Sequence, residues 1–432
     1  MKKSYLFSAF AAGMVMLSAC SNDGDLTNGG NESNDAVQQF VLQVANTGDG
    51  LQTRAGRPLE SSEATQTIEN VKIIVCDQTN EVKYVKTIEN WNQSTVSSPY
   101  TDNGHGRKKT IMIPKEEKLA AGEYTVYAFG YSSSSEYDAD DLKKITEVVK
   151  STPTSKATFT SNVKLGTKTS SIKGEEIFAG SQTFTVTDNN GFNQGVVLNR
   201  QVAGTFGYFD KIPYVKGATT LQLVAANRNK TLVLGNFNSF DLTGNGEGND
   251  EHLNYVVNGT EAAADKVIYS ISLDKWFKNV IDNNTDGLID YDASNWKGDA
   301  SKYAVGSVFA GQFLIPFEKS ATSAETFVLQ LTNGTDVLKS WTVRLPEGDG
   351  QFTTHTLWKW DTDKFVKEPN SKDDYKVYNV VRNHLYGLGK RPSANPTTPG
   401  TDPDKPEPLN KKHELTLRVN DNWEVIHQME LE

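Results

Sequence analysis

Residues 415–431, close to the C-terminus, constrain the fold of this chain more than any other stretch. They read LTLRVNDNWEVIHQMEL, two alternating runs separated by Asn-Asp-Asn. The positions on one face are Leu415, Leu417 and Val419 in the first run, and Trp423, Val425, His427, Met429 and Leu431 in the second. A period of two is typical of a β-strand with one buried face.

A proline-rich linker separates this C-terminal tail from the rest of the chain. Residues 391–408 carry prolines at 392, 396, 399, 403, 406 and 408, and such a composition is extended and builds no core. The chain therefore completes a domain, leaves it, and then presents a strand with an apolar face. Because unpaired edges and bare apolar faces are unstable in water, the tail must either fold back onto its own domain or fill a groove in another copy.

Length and charge limit the kinds of protein that this chain can be. Its 432 residues are enough for two or three domains with a sizeable core. The net charge of −10 argues against a nucleic-acid partner, whose binding needs a basic surface.

The first twenty residues have the pattern of a bacterial lipoprotein signal peptide. Lys2 and Lys3 precede a short apolar run, and the run ends in LSAC at 17–20, which matches a lipobox. The apolar run is too short to span a membrane as a mature helix. We predict that Cys20 becomes the new N-terminus and carries a lipid with palmitate. The chain would then be exported and anchored in a Gram-negative cell envelope. A plain signal peptide with an incidental Cys20 is the alternative.

A short strand and a candidate protease site follow the signal peptide. The polar residues 21–35 predict a disordered tether, and FVLQV at 40–44 alternates like a strand. The next segment, residues 48–58, is rich in Gly and polar residues and suits a protease. Within it the Arg54-Ala55 bond suits a trypsin-like enzyme, whereas proline blocks cleavage at Arg57-Pro58. An ordinary loop with an uncut Arg54 is the alternative.

From residue 67 onward the pattern predicts an all-β fold. Residues 71–77 and 81–88 flank Gln-Thr-Asn and predict a hairpin, and helices are expected near 138–150 and 273–281. Short strands with few helices indicate β-sandwich domains. The predicted division is a signal peptide at 1–20, a cleavable leader at 21–54, an N-terminal sandwich at 55–195, a C-terminal sandwich at 196–390, a linker at 391–408 and C-terminal strands at 409–432.

No pattern of catalytic or metal-ligating residues stands out in the sequence. The six histidines are scattered, and no nucleophile elbow, Walker loop or cysteine pair occurs. Cys76 ends the strand-like run VKIIVC, where we expect a buried small hydrophobe. We therefore predict no catalytic residue, no metal, no cofactor and no enzyme activity. A β-rich glycosidase is the alternative, because its two carboxylates need not be close in sequence.

One acidic stretch resembles the first half of a calcium-binding loop. Asp282, Asn284 and Asp286 supply oxygens at positions one, three and five, and Gly287 stands at position six. The twelfth position is Ala293, so the bidentate carboxylate is missing. We expect an Asx-rich surface turn, with calcium binding as the alternative.

Five segments form a recognisable series along the chain. They are the lipobox leader ending near Arg54-Ala55, EIFAG at 176–180, VLNRQVA at 197–203, VVRNHLY at 380–386 and the tail that contains Trp423. Together they resemble the fimbrillins, the subunits of the type V pili of Bacteroidales, most closely their major-subunit branch. The acidic SNDGD at 21–25 resembles the export tag of surface-exposed lipoproteins in the Bacteroidales.

This resemblance implies two sandwiches of transthyretin-like or Greek-key type, followed by C-terminal donor strands. It implies that a trypsin-like surface protease cuts the outer-membrane precursor after Arg54. The strand at 40–44 then leaves, and the tail of the next copy fills its groove. The implied location is a fimbrium on the cell surface, and the implied role is adhesion. The partners would be other copies, accessory fimbrial subunits, the protease and the outer membrane. The donor residues would be Leu415, Leu417, Val419, Trp423, Val425, Met429 and Leu431.

Two other functions stay open at this point. A surface lipoprotein that binds glycan or host protein would keep its lipid at Cys20, leave Arg54 uncut and dock the tail on its own domain. A secreted glycan hydrolase is the least favoured, because no acid/base pair is recognisable.

Overall fold

The computed structural model describes most of the chain between residues 38 and 420. The described ranges are 38–44, 68–99, 107–167, 176–187, 195–234, 257–345, 358–361, 364–367, 375–389, 406–410, 414–416 and 418–420, without residues 92, 94, 134, 136, 321, 381, 383 and 384. Strands make up 49% and helices 7% of the structure. The predicted all-β fold is confirmed.

The N-terminal part of the chain builds an eight-stranded sheet. The first nine strands are β1 (Gln39–Val44), β2 (Asn70–Asp77), β3 (Val82–Ile88), β4 (Ser98–Pro99), β5 (Arg107–Met112), β6 (Gly122–Tyr131), β7 (Val163–Gly166), β8 (Phe178–Val186) and β9 (Gly195–Arg200). The strand order in the sheet is β3-β2-β6-β8-β9-β1-β5-β4. A 3-10 turn spans Lys115–Glu117, and helix α1 spans Ala139–Thr146.

The predicted hairpin at 71–88 is confirmed as β2 and β3. The Asp77 carboxylate accepts hydrogen bonds from the backbone N–H of Thr79 (2.9 Å) and of Glu81 (3.1 Å). Asn80 adopts a positive φ of 61°, a conformation that asparagine tolerates better than most residues. The turn chemistry in the sequence therefore accounts for the local fold.

In its described residues, the C-terminal part of the chain forms two five-stranded sheets and a two-stranded one, and it shares a three-stranded sheet with β7. Its strands are β10 (Ala203–Asp210), β11 (Thr220–Ala225), β12 (Asn229–Leu234), β13 (Gly259–Ala262), β14 (Val267–Ser272), β15 (Val308–Leu314), β16 (Phe327–Thr332), β17 (Val337–Arg344), β18 (Trp358–Asp361), β19 (Lys364–Lys367), β20 (Leu385–Leu388), β21 (Glu407–Pro408), β22 (Glu414–Thr416) and β23 (Arg418–Asn420). One sheet has the order β15-β10-β20-β23, with β21 on β10, and the other has the order β14-β11-β16-β17-β22. Apolar side chains from both sheets, among them Phe209, Leu221, Leu329, Trp341 and Tyr386, share one buried cluster.

The two parts of the chain meet along an apolar junction. Strand β7 pairs with β12 of the C-terminal part, and residues of both parts, such as Ile74 and Phe313, belong to one buried cluster. The chain crosses from one sheet to the other at residues 201–202, between β9 and β10. The boundary predicted at 195/196 falls after the first residue of β9, a strand that belongs to the N-terminal sheet.

The two predicted helices have different outcomes. Helix α1 lies inside the predicted range 138–150, and the Asp138 carboxylate caps its start by accepting from the Asp140 N–H (2.9 Å). The helix predicted over 273–281 is wrong beyond its first turn, because α2 spans Leu273–Trp276 and Phe277 is extended. Phe277 forms a β-bridge with Trp296 and is buried, so tertiary pairing replaces the helical turn. The helices in the described part of the chain are too short to cross a membrane.

Cys76 lies inside the sheet, as the sequence predicted. Its side chain is buried in β2. Burial, with a smaller effect of the neighbouring Asp77 carboxylate, raises the pKa of the thiol to about 12. A thiol of this kind is inert as a nucleophile.

Candidate functional site

Strand β1 lies in the interior of the N-terminal sheet although it comes first in the described chain. It pairs with β5 on one side in antiparallel fashion, over Gln39↔Met112 to Val44↔Arg107. It pairs with β9 on the other side in parallel fashion, over Val41↔Gly195 to Val44↔Leu198. Removing β1 would leave β5 and β9 facing each other across a gap of about 9.5 Å, two strand spacings.

The inward face of β1 contributes two large side chains to the core. Phe40 is 2% exposed and Leu42 is 0% exposed, and the Phe40 ring lies 6.2 Å from the ring of Phe184. Ile111 of β5 and Val196 of β9 belong to the same buried cluster. Burying each such side chain stabilises the fold by about 1.5–3 kcal/mol, so the slot for β1 is an apolar groove between two strand edges.

A buried glutamine fixes the start of β1. The Gln38 amide nitrogen donates to the Leu119 carbonyl (2.8 Å), and the Gln38 amide oxygen accepts from the Leu119 N–H (2.8 Å). The Gln38 carbonyl accepts from the Ile113 N–H at 2.9 Å. The side chain thus replaces a peptide group of a neighbouring strand and sets the register of β1. A glutamine before an alternating run gave no signal of this role in the sequence.

The β5 wall of the groove is held by contacts that do not involve β1. Strand β4 pairs with β5 at Ser98↔Lys108 and Pro99↔Arg107. The Arg107 guanidinium donates to the Ser97 hydroxyl (2.6 Å) and carbonyl (2.5 Å), and the Lys109 ammonium donates to the Val96 carbonyl (2.6 Å). Burial lowers the pKa of Arg107 from its usual value. Because the usual pKa of arginine lies far above neutral pH, the group stays charged there.

The first half of the C-terminal tail pairs with its own chain. Strand β22, which contains Leu415, pairs in parallel with β17, and β23, which contains Val419, pairs antiparallel with β20. The predicted run 415–419 is thus divided between two sheets. Leu409, the first residue of the predicted segment 409–432, is fully buried, and its carbonyl accepts from the Trp341 indole N–H (3.2 Å). Leu409 therefore belongs to the core of the C-terminal part.

The other predicted site residues lie outside the described residues. They are the lipidation residue Cys20, the cleavage residues Arg54 and Ala55, and the tail residues Leu417, Trp423, Val425, Met429 and Leu431. Their roles stay predictions.

The acidic loop at 282–290 is a network of Asx turns. The Asp282 carboxylate accepts from the N–H groups of Asp286 (3.2 Å) and Gly287 (2.9 Å), and Asp286 accepts from the Leu288 N–H (2.9 Å). Gly287 has a φ of +83°, which suits glycine in a tight turn. Within the described ranges, no three His, Cys, Asp or Glu side chains are placed to hold a metal ion.

We expect Phe40→Ala to lower the free energy of unfolding by about 3–5 kcal/mol, because it leaves a cavity in the groove. Urea denaturation of the intact chain measures this change. Gln39→Ala on the exposed face of the same strand is the matched control, with an expected change within about 0.5 kcal/mol. Equal effects of the two substitutions would show that β1 is not packed as described.

We expect millimolar calcium to leave the thermal midpoint of the protein unchanged, because backbone N–H groups already use the Asp282 oxygens. Asp282→Ala should cost about 1 kcal/mol through the lost turn bonds. A midpoint that rises with calcium in the native chain, but not in Asp282→Ala, would establish a cation site instead.

The sequence matches no protein-family model and no curated protein. Structural neighbours are Bacteroidales fimbrial and adhesin-type proteins. A candidate cell adhesion protein from Parabacteroides distasonis is 10% identical, with a TM-score of 0.41 over 89% of this chain and 96% of its own. The tip fimbrial protein Mfa3 of Porphyromonas gingivalis, truncated at its C-terminus, is 10% identical, with a TM-score of 0.37. The match covers 89% of this chain and 98% of Mfa3. The fimbrial anchor protein Mfa2 of the same organism is 12% identical, with a TM-score of 0.31. The match covers 69% of this chain and 78% of Mfa2.

Proposed function

We propose that this chain is a structural subunit of a cell-surface fimbrium that supports adhesion and assembles by exchanging strands between copies. The observation that carries the proposal is the position of β1. This strand lies between β9 and β5, yet it is linked covalently to the rest of the sheet through residues 45–67 alone. One cut in that segment makes β1 a separate peptide.

A cut after Arg54 would have two effects at once. Cys20 and β1 both precede Arg54 in the chain, so the lipid and the strand leave the subunit together. The subunit is then released from the outer membrane at the same moment as its groove opens. A trypsin-like surface protease is the partner that this step needs, since such enzymes cut after arginine in accessible segments.

The C-terminal tail of another copy is the occupant that we propose for the groove. Its backbone must pair with the edges of both β5 and β9, and its apolar side chains must take the places of Phe40 and Leu42. This mode of recognition is β-strand addition. The apolar positions from Trp423 to Leu431 meet this requirement in their spacing. Because each copy would give its tail and receive another, the contact does not close on itself, and a filament grows.

The pairings of β22 and β23 favour a second candidate function. A tail that stays on β17 and β20 of its own chain suits a non-polymerising surface lipoprotein that binds glycan or a host protein. Under the fimbrial proposal, the same pairings belong to the unassembled subunit, and assembly moves the tail to the next copy. Each of these two strands has three residues, half the length of β1.

The N-terminal residue and the mass of protein sheared from the cell surface distinguish the two functions. We expect Ala55 at the N-terminus, no lipid, and ladders of polymers that resist SDS. Trp423→Ala should shorten the ladders, because it removes the largest apolar side chain of the tail, whereas Glu424→Ala on the opposite face is the matched control. Lipidated Cys20 at the N-terminus, with monomers throughout, would contradict the fimbrial function and support the second.

A further inference from the structure

Strand β9, the other wall of the groove, pairs with β1 along most of its length. Its residues 195–198 pair with β1, whereas β8 pairs with it at Phe178↔Arg200 and Ala179↔Asn199. If β1 leaves, most of β9 loses its partner on that side, and its C-terminal end remains attached. A strand edge without a partner tends to pair with another strand, so β9 needs other contacts to keep its position once β1 has left.

A buried ion pair lies at this remaining attachment. The Arg200 guanidinium nitrogen Nε lies 2.8 Å from the Glu176 carboxylate, and both side chains are 0% exposed. The guanidinium also lies over the Phe178 ring, 5.0 Å from its centroid. An arginine that is paired and stacked in this way has little freedom to move, since leaving either charge alone in the interior is costly.

The next residue, Gln201, connects this end of β9 to both parts of the chain. Its backbone N–H donates to the Ile177 carbonyl (2.9 Å). Its side-chain oxygen accepts from Arg382 (2.8 Å) and from Asn258 (3.3 Å). All three polar side chains are buried, and Arg382 and Asn258 precede strands β20 and β13. The end of β9 is thus fixed against β8 and against the C-terminal part.

We propose that Arg200, paired with Glu176 and followed by Gln201, anchors β9 after β1 has gone and so holds the groove open for an incoming strand. Arg200 is a positioning residue in this account, because it acts through β9. The inference rests on the proposed function, in which β1 is released. In the intact sheet β9 has neighbours on both sides, so the anchor matters little there. Its effect appears when one neighbour is lost.

The double variant Glu176→Met/Arg200→Met tests the anchor without leaving a lone buried charge. The matched control is Ile74→Val, which removes one buried methyl group from β2, a strand that does not adjoin β9. Each full-length protein is cut by limited trypsin treatment within residues 45–67, and β1 is separated in dilute urea. Hydrogen exchange at residues 196–201 is measured before and after release. Rebinding of a synthetic peptide with the sequence of residues 38–44 is measured as well.

We expect equal exchange in all the proteins before release. After release, exchange at residues 199–201 should be about tenfold faster, and peptide affinity about tenfold weaker, in the double variant than in the native or Ile74→Val chain. If the double variant and the native chain show equal protection and equal peptide affinity after release, the role of Arg200 as an anchor is overturned and the proposed function is not. A native chain that loses β1 by unfolding as a whole would overturn the proposed function, and the anchor with it.

Discussion

The pairing of β1 with two strands at once is the interaction on which the N-terminal sheet depends. In the sheet order, β1 joins the five strands from β3 to β9 to the pair β5 and β4. Phe40 and Leu42 fill the core between them, and Gln38 sets the register through Leu119. These contacts stabilise β1 in place, and its replacement by another strand of the same pattern is the step that we propose for assembly.

The walls of the groove are built alike. Strand β5 forms two residue pairs with β4, and strand β9 forms two residue pairs with β8. Buried or half-buried side chains reinforce both walls. Arg107 and Lys109 bind the carbonyls of residues 96–97, and Arg200 binds Glu176. Under the proposed function, these contacts would hold both edges in place after β1 leaves, so that the edges can receive the next strand.

Local features could be predicted from the sequence, whereas long-range pairings could not. Alternation identified β1 and the β2–β3 hairpin, because a period of two and turn chemistry are local properties. Alternation does not show which strand pairs with which. Three features were therefore not predicted: the inner position of β1, the pairing of β7 with β12 and the division of 415–419 between two sheets. Glu176 and Arg200 were noted within motifs, but their contact joins residues 24 positions apart, and no spacing rule for strands connects them.

A reversible disulfide between β1 and β5 tests most directly whether assembly requires β1 to leave. Gln39 and Met112 are Cα partners in the ladder and are both exposed. Directly opposed residues of an antiparallel pair have Cα atoms about 4.5–5.5 Å apart, within disulfide range. In Gln39→Cys/Met112→Cys, the cleaved and oxidised protein should remain monomeric, and the reduced protein should polymerise like the native chain, with Met112→Cys alone as the control. Polymers of equal length from the oxidised and reduced forms would contradict the account.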